Sequence, residues 1–159
     1  MKLILMRHAK SSWDDPFLAD HDRPLNGRGQ RSAAAMGDWL RARGHMPDAA
    51  VSSTSVRTRE TFERLRLGVP VRFTRALYHA SAEGMMDVVA AETMGAMLML
   101  GHNPGIAEFA ARIVDVPPDH LRFDDFPTCA TLVVDMETPG WGAGRVLDFA
   151  IPREVLAEA

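Results

Sequence analysis

At 159 residues, 47% of them apolar and 25% charged, the chain has the make-up of a globular protein large enough to bury a core, and one domain over residues 1–159 is expected. A net charge of −3 offers no basic surface as a whole, so nucleic acid and acidic lipid are not expected as partners, and any anion chemistry must come from a local cluster. One cysteine, Cys129, excludes an internal disulfide framework and fits a reducing compartment; in PTCATLVV it reads as a small buried hydrophobe rather than a nucleophile.

The chain opens on KLILMRH (2–8), a nearly unbroken apolar run of the kind found in a central parallel strand covered on both faces. The run is too short for the hydrophobic part of a secretion signal and has no small-residue cleavage site after it. It ends unusually, in Arg7-His8 rather than in turn residues. NGRGQRSAAAMGDWLRARG (26–44) follows as a helix, with Ala34, Met36, Trp39 and Leu40 on one stripe and Gly44 just past its end. DAAVSS (48–53) is a second strand. TSVRTRETFERLRLG (54–68) is a charged amphipathic helix, capped by Thr or Ser and closed by Gly68.

VRFTRAL (71–77) is the third strand, and SAEGMMDVVAAET (81–93) the third helix, with Ser81 as its cap. AMLMLGH (96–102) and NPGIAEFAARIVD (103–115) repeat the pairing, with Asn103 as N-cap and Pro104 in the first turn. The window 96–114 is the most apolar in the chain. His102, Asn103, Pro104 and Glu108 break it, so no membrane span is expected and a cytoplasmic location is. VPPDHLRFDDFPT (116–128) reads as irregular, a candidate mobile flap. TLVVDME (131–137) and RVLDFAI (145–151), joined through the turn-rich TPGWGAG, read as a C-terminal hairpin. Alternating βα units predict an α/β sandwich around a mostly parallel sheet.

In such sheets ligands gather beyond the carboxyl ends of the strands. The first strand ends in Arg7-His8, the second leads into Arg57 in the first turn of its helix, and the fourth ends in His102. Singly, each has an ordinary explanation as a surface ion pair, a solvated helical arginine or a histidine beside a turn. Together, two arginine forks, two imidazoles and nearby helix N-termini at one edge of the sheet make a phosphate-sized pocket. His79, after the third strand, is at the same edge. His21, His45 and His120 read as surface residues. No pair of histidines or carboxylates has the spacing of a zinc-protease helix or zinc ribbon, and no glycine-rich nucleotide cradle is present, so neither metal nor cofactor is expected.

LMRHAKSSWDD resembles the RHG signature of the histidine phosphatase superfamily, which includes cofactor-dependent phosphoglycerate mutases and acid phosphatases. The S-S-x-x-x-R-x-x-x-T block around Arg57 and G-H-N-P-G around His102 follow in the same order. RHAKSSW, DHDRPLNGRGQR and the small size look most like the SixA-type phosphohistidine phosphatases. The resemblance implies a phosphoglycerate mutase-like three-layer α/β/α sandwich. It implies His8 as a nucleophile that is transiently phosphorylated, with Arg7, Arg57 and His102 binding the phosphoryl oxygens. The glycine of RHG is Ala9 here. Lys10 and Asp14 stand where mutases carry a carboxylate and an asparagine, and the inserts that build a sugar-phosphate pocket are missing. The mutase proton donor falls nearest His79, with Glu83 a little further on, so these two are the proton-donor candidates.

His8 should attack as a neutral ring whose other N–H is held by a carbonyl or carboxylate, with the clustered positive charge lowering its pKa. A site without an obvious dedicated acid fits phosphohistidine in a protein better than an alkyl phosphate, with inorganic phosphate as product. A phosphatase of small phosphate esters and a non-catalytic phosphoprotein-binding module are the alternatives.

Overall fold

The apolar run at the start of the chain forms β1 (Lys2–Arg7), and both of its faces are buried. Side chains alternate across a strand, so Leu3 and Leu5 enter one core and Ile4 and Met6 the other, all four with no exposed surface. Each such side chain contributes about 1.5–3 kcal/mol on leaving water. The computed structural model describes residues 1–157. Among these, β1 is joined by β2 (Ala49–Ser53), β3 (Val71–Thr74), β4 (Ala96–Gly101), β5 (Thr131–Asp135) and β6 (Arg145–Ala150) in one sheet ordered β3-β2-β4-β1-β5-β6. The first four strands in this order run parallel; β5 is antiparallel to β1 and pairs with β6 as the expected hairpin.

Helices α1 (Gly27–Ala42), α2 (Val56–Leu65), α3 (Ala82–Ala90), α4 (Gly105–Ile113) and α5 (Pro152–Ala157) cover the two faces. Met85 and Val89 of α3 and Phe109 and Ile113 of α4 pack on the Leu3 side. Met36 and Leu40 of α1, Leu65 of α2 and Val155 of α5 pack on the Ile4 side. The fold is therefore the expected α/β sandwich with a mostly parallel sheet. None of the described helices is long and apolar enough to cross a membrane.

Local differences from the sequence expectations have local causes. The third strand stops at Thr74, whose hydroxyl accepts from the Ala76 amide at 3.1 Å and turns the chain into a short 3-10 segment. Helix α2 ends at a left-handed Arg66 (φ 52°) instead of running on to Gly68. At α4 the cap position is Pro104, one residue later than expected, and the Asn103-Pro104 bond is cis. The Asn103 side chain still serves the helix, accepting from the Ala107 amide at 3.2 Å. Helix α5 follows the hairpin, in a stretch where the sequence predicts no element.

The segment 116–128 is anchored rather than a free flap. Phe123 and Phe126 are buried in the core, and the carbonyl of Phe126 accepts from Arg7 and from Asn103. His45 is also buried, against Asp148 at 3.1 Å, where the sequence placed it at the surface.

Close approach of helices sets one strict requirement. A side-chain carbon at Gly37 of α1 would run into the backbone carbonyl of Leu65, the last residue of α2. Gly37→Ala should therefore lower the unfolding free energy by about 1–3 kcal/mol, the usual result of overpacking. Urea unfolding measures this, and unchanged stability would show that α1 and α2 can separate without loss.

Candidate active site

Adjacent parallel strands bring their carboxyl ends to one edge. Arg7 pairs in register with Gly101, and the residues that follow each of them are the two site histidines. The backbone of His8 is held on both sides: its amide donates to the Gly101 carbonyl at 3.1 Å, and its carbonyl accepts from the Cys129 amide at 2.9 Å. The imidazoles of His8 and His102 face each other with ring centroids 5.2 Å apart. Both are almost fully buried, as is Arg57.

Hydrogen bonds fix each ring's tautomer. Nδ1 of His8 lies 2.7 Å from the Ala9 carbonyl, which can only accept, so Nδ1 carries the proton and Nε2 keeps its lone pair. In His102 the order is reversed. Arg57 can only donate, so Nδ1 accepts at 3.2 Å, and Nε2–H donates to the Ser53 hydroxyl at 2.8 Å. The Ser53 of the S-S-x-x-x-R-x-x-x-T block thus orients His102. Thr61 of the same block accepts from the Ala9 amide at 3.0 Å and donates to the Arg57 carbonyl at 2.7 Å, tying α2 to the strand that bears His8.

Asp20, in a 3-10 turn (Asp20–Asp22), is a residue that sequence reasoning did not single out. Its carbonyl and carboxylate accept from the two ends of the Arg57 fork at 2.7 and 3.0 Å. The same carboxylate oxygen accepts from the Tyr78 hydroxyl at 2.6 Å and lies 3.6 Å from Nε2 of His79. Burial works to raise the Asp20 carboxyl, but the bonds from Tyr78 and Arg57 outweigh it and hold the group below the usual carboxylate range. The signal in the sequence was DHDRPLNGRGQR, which also supplies Arg23: buried, bonded to the Ser12 carbonyl at 3.2 Å, with its guanidinium 3.7 Å from the centre of the Trp13 ring.

These groups enclose a cavity of about 380 Å³. Arg7, Lys10, Arg23 and Arg57 line it against a single carboxylate, Asp20, with His8, His79, His102 and Asn103 completing the wall. The cavity is thus electropositive within an acidic chain. The first-turn amides of Thr58 and Ala107 are taken by the Ser55 and Asn103 side chains.

All four expected residues, Arg7, His8, Arg57 and His102, line the cavity, and so does His79. Glu83 does not. It is bonded to Arg112 at 2.5 Å on the exposed side of α3, and that bond lowers its pKa. Cys129 is fully buried, with its thiol pushed up to about 12 by burial, and presents no thiolate. Among the described residues no three His, Cys, Asp or Glu side chains gather as a metal-binding set.

Residues 3–85 match the histidine phosphatase superfamily (branch 1). The chain belongs to this superfamily. The uncharacterized protein Rv1276c of Mycobacterium tuberculosis is 32% identical over 162 residues, 93% of this chain and 100% of that one. The chloroplastic protein At3g52155 of Arabidopsis thaliana is 34% identical over 127 residues, 70% of this chain and 58% of that one. Among superfamily structures, SixA of Agrobacterium tumefaciens superposes with a TM-score of 0.81 at 30% identity, over 95% of this chain and 97% of that one. A protein histidine phosphatase SixA complexed with tungstate has the same fold (TM-score 0.81, 20% identity, 98% and 99% covered). The chain is thus a SixA-like member of the superfamily.

Burial is the main reason that both site histidines are neutral. It lowers His8 to about 3 against the pull of the Ala9 bond, with Arg57 and Arg7 adding to it. His102 is likewise lowered to about 3, by burial first and then by His8, Arg57 and His79. The unfolded chain, with ordinary imidazoles near 6.5, takes up protons that the folded site refuses. The two rings therefore contribute full stability above about pH 6.5 and progressively less as pH falls toward 3. Nitrogen-15 ring spectra should show both histidines neutral at about pH 5, His8 as the Nδ1–H and His102 as the Nε2–H tautomer. A protonated His8 at that pH would contradict the geometry.

Proposed function

We propose that the protein is a phosphatase working through a phosphohistidine intermediate on His8, and that its substrate is phosphohistidine in a protein. The observation that carries this is the unprotonated Nε2 of His8, held free by the Ala9 bond in a cavity walled by guanidinium groups. A neutral imidazole nitrogen facing fixed cations is what in-line phosphoryl transfer requires of a nucleophile.

In this mechanism the fork of Arg7 and the uncommitted N–H groups of Arg57 bind the phosphoryl oxygens, and His102 lies at their side. Arg7 commits one Nη1–H to the Phe126 carbonyl and keeps most of its fork for the anion. Arg57 is set in place by Asp20, so its charge needs no reorganisation when negative charge spreads over the phosphoryl oxygens. Nε2 of His8 forms a bond to phosphorus as the bond to the leaving nitrogen breaks. The electron pair goes to that nitrogen, and a substrate imidazole protonated on its other nitrogen departs neutral. Water then attacks phospho-His8, the P–N pair returns to Nε2, and dihydrogen phosphate leaves.

An N-phosphate needs no acid to protonate a poor leaving group, which suits a cavity where Glu83 is absent and His79 is the remaining donor candidate. The exposed Trp13 and His79 at the cavity's mouth leave room for a side chain presented by a protein. We assign the protein to the cytoplasm on the same reading, in keeping with a single cysteine and no internal disulfide framework.

A variant series tests this on a phosphohistidine protein and an aryl phosphate. His8→Ala should abolish both activities, and Arg57→Ala should cost about 10²–10³-fold, the usual loss for one preorganised donor. Asp20→Ala should cost up to about a hundredfold by releasing Arg57, and Glu83→Gln should change nothing. His79→Ala should harm the aryl phosphate more than the phosphohistidine protein. Turnover by His8→Ala equal to that of the unaltered protein refutes the proposal.

A further inference from the structure

A second cavity, of about 210 Å³, adjoins the first and shares Lys10 and Thr128 with it. Arg28 from the first turn of α1, Arg122 from the anchored 116–128 segment and Arg153 from α5 join Lys10 around it, and no carboxylate lines it. Four cations from four separated parts of an acidic chain therefore meet beside the reacting cavity. Arg122 is held by Asp125 at 2.9 Å. Lys10, Arg28 and Arg153 form no ion pair among the described residues.

The two cavities differ in how their charges are held. In the first, Arg57 and Arg23 are buried and bonded into one geometry, as a single reacting anion demands. In the second, all four cations are exposed. Exposed long side chains on such a rim adapt to carboxylates at varied positions, and act on encounter and orientation more than on chemistry. Their mutual repulsion, relieved within the cluster only at Arg122 by Asp125, favours an anionic partner, and the net charge of −3 argues against nucleic acid as that partner.

We propose that this cavity is a docking subsite for acidic side chains flanking the phosphohistidine of the substrate protein. The inference rests on the phosphohistidine reading and deepens it: the first cavity takes the phosphoryl group, and the second selects the protein that carries it.

The test uses the full chain and the double variant Arg28→Glu/Arg153→Glu, whose sites are exposed and lie outside the reacting cavity. The substrates are a histidine peptide phosphorylated with phosphoramidate and flanked by Asp and Glu, the same peptide flanked by Asn and Gln, and an aryl phosphate. For the unaltered protein, kcat/KM on the acidic peptide should exceed that on the neutral one, and the gap should shrink as salt rises from about 0.05 to about 0.3 M. In the variant, KM for the acidic peptide should rise roughly tenfold or more with kcat kept. The neutral peptide and the aryl phosphate should change less than about twofold.

Equal loss on all three substrates would make the cavity part of the reacting site and overturn the docking assignment. Unchanged KM for the acidic peptide, with both peptides still hydrolysed, would overturn docking and leave the phosphatase reading standing. Hydrolysis of the aryl phosphate with neither peptide turned over would overturn the phosphohistidine reading, and the docking assignment with it.

Discussion

The hydrogen bond from Nδ1 of His8 to the carbonyl of Ala9, 2.7 Å long, decides which nitrogen of the ring is available for chemistry. It is local, between neighbouring residues, and would be labile if Ala9 were free to turn. Thr61 prevents that by receiving the Ala9 amide, and the same hydroxyl grips the carbonyl of Arg57. One network thus sets the tautomer of one residue and the position of the helix turn that carries the other. The depth of the site acts in the same direction, because burial outweighs every other influence on the ring and keeps it unprotonated.

Asp20 gives the cavity its second constraint. A cavity holding Arg7, Arg23 and Arg57 close together is under mutual repulsion, and the single carboxylate on its wall relieves it at Arg57. Because that carboxylate also receives Tyr78 and stands beside His79, the rim and the floor of the cavity are coupled through one oxygen. The positive charge of Arg7 and Arg23 is left for an anion. Outside the cavity, the exposed cations around Lys10 extend the same field without the same rigidity. The protein can be acidic overall and still attract an anion to one point on its surface.

Much of this was legible in the chain because the sheet is simple. A strand buried on both faces shows as an unbroken apolar run, and KLILMRH and AMLMLGH both have that character. Since parallel strands align their carboxyl ends, the residues after each run had to meet, and Arg7, His8, Arg57 and His102 do line one cavity. Contacts set by loops were harder to read. Asp20 reaches Arg57 across 37 positions, and nothing in the periodicity of an irregular stretch announces such a contact. Glu83 looked suitable by its distance along the chain, yet the turn of α3 directs it to Arg112 instead. His45 looked exposed because it follows Gly44, but the late strand β6 brings Asp148 over it. The 116–128 segment has no regular structure to betray its anchoring, which depends on Phe123 and Phe126 finding the core.

The most direct test of the account is to catch the phosphoenzyme during turnover, with a quench that avoids acid, and to locate the phosphoryl group by phosphorus–nitrogen coupling in labelled protein. The account requires it on Nε2 of His8. A phosphoryl group on Nδ1 of that ring, on a different side chain, or on none at all while hydrolysis proceeds, would contradict it.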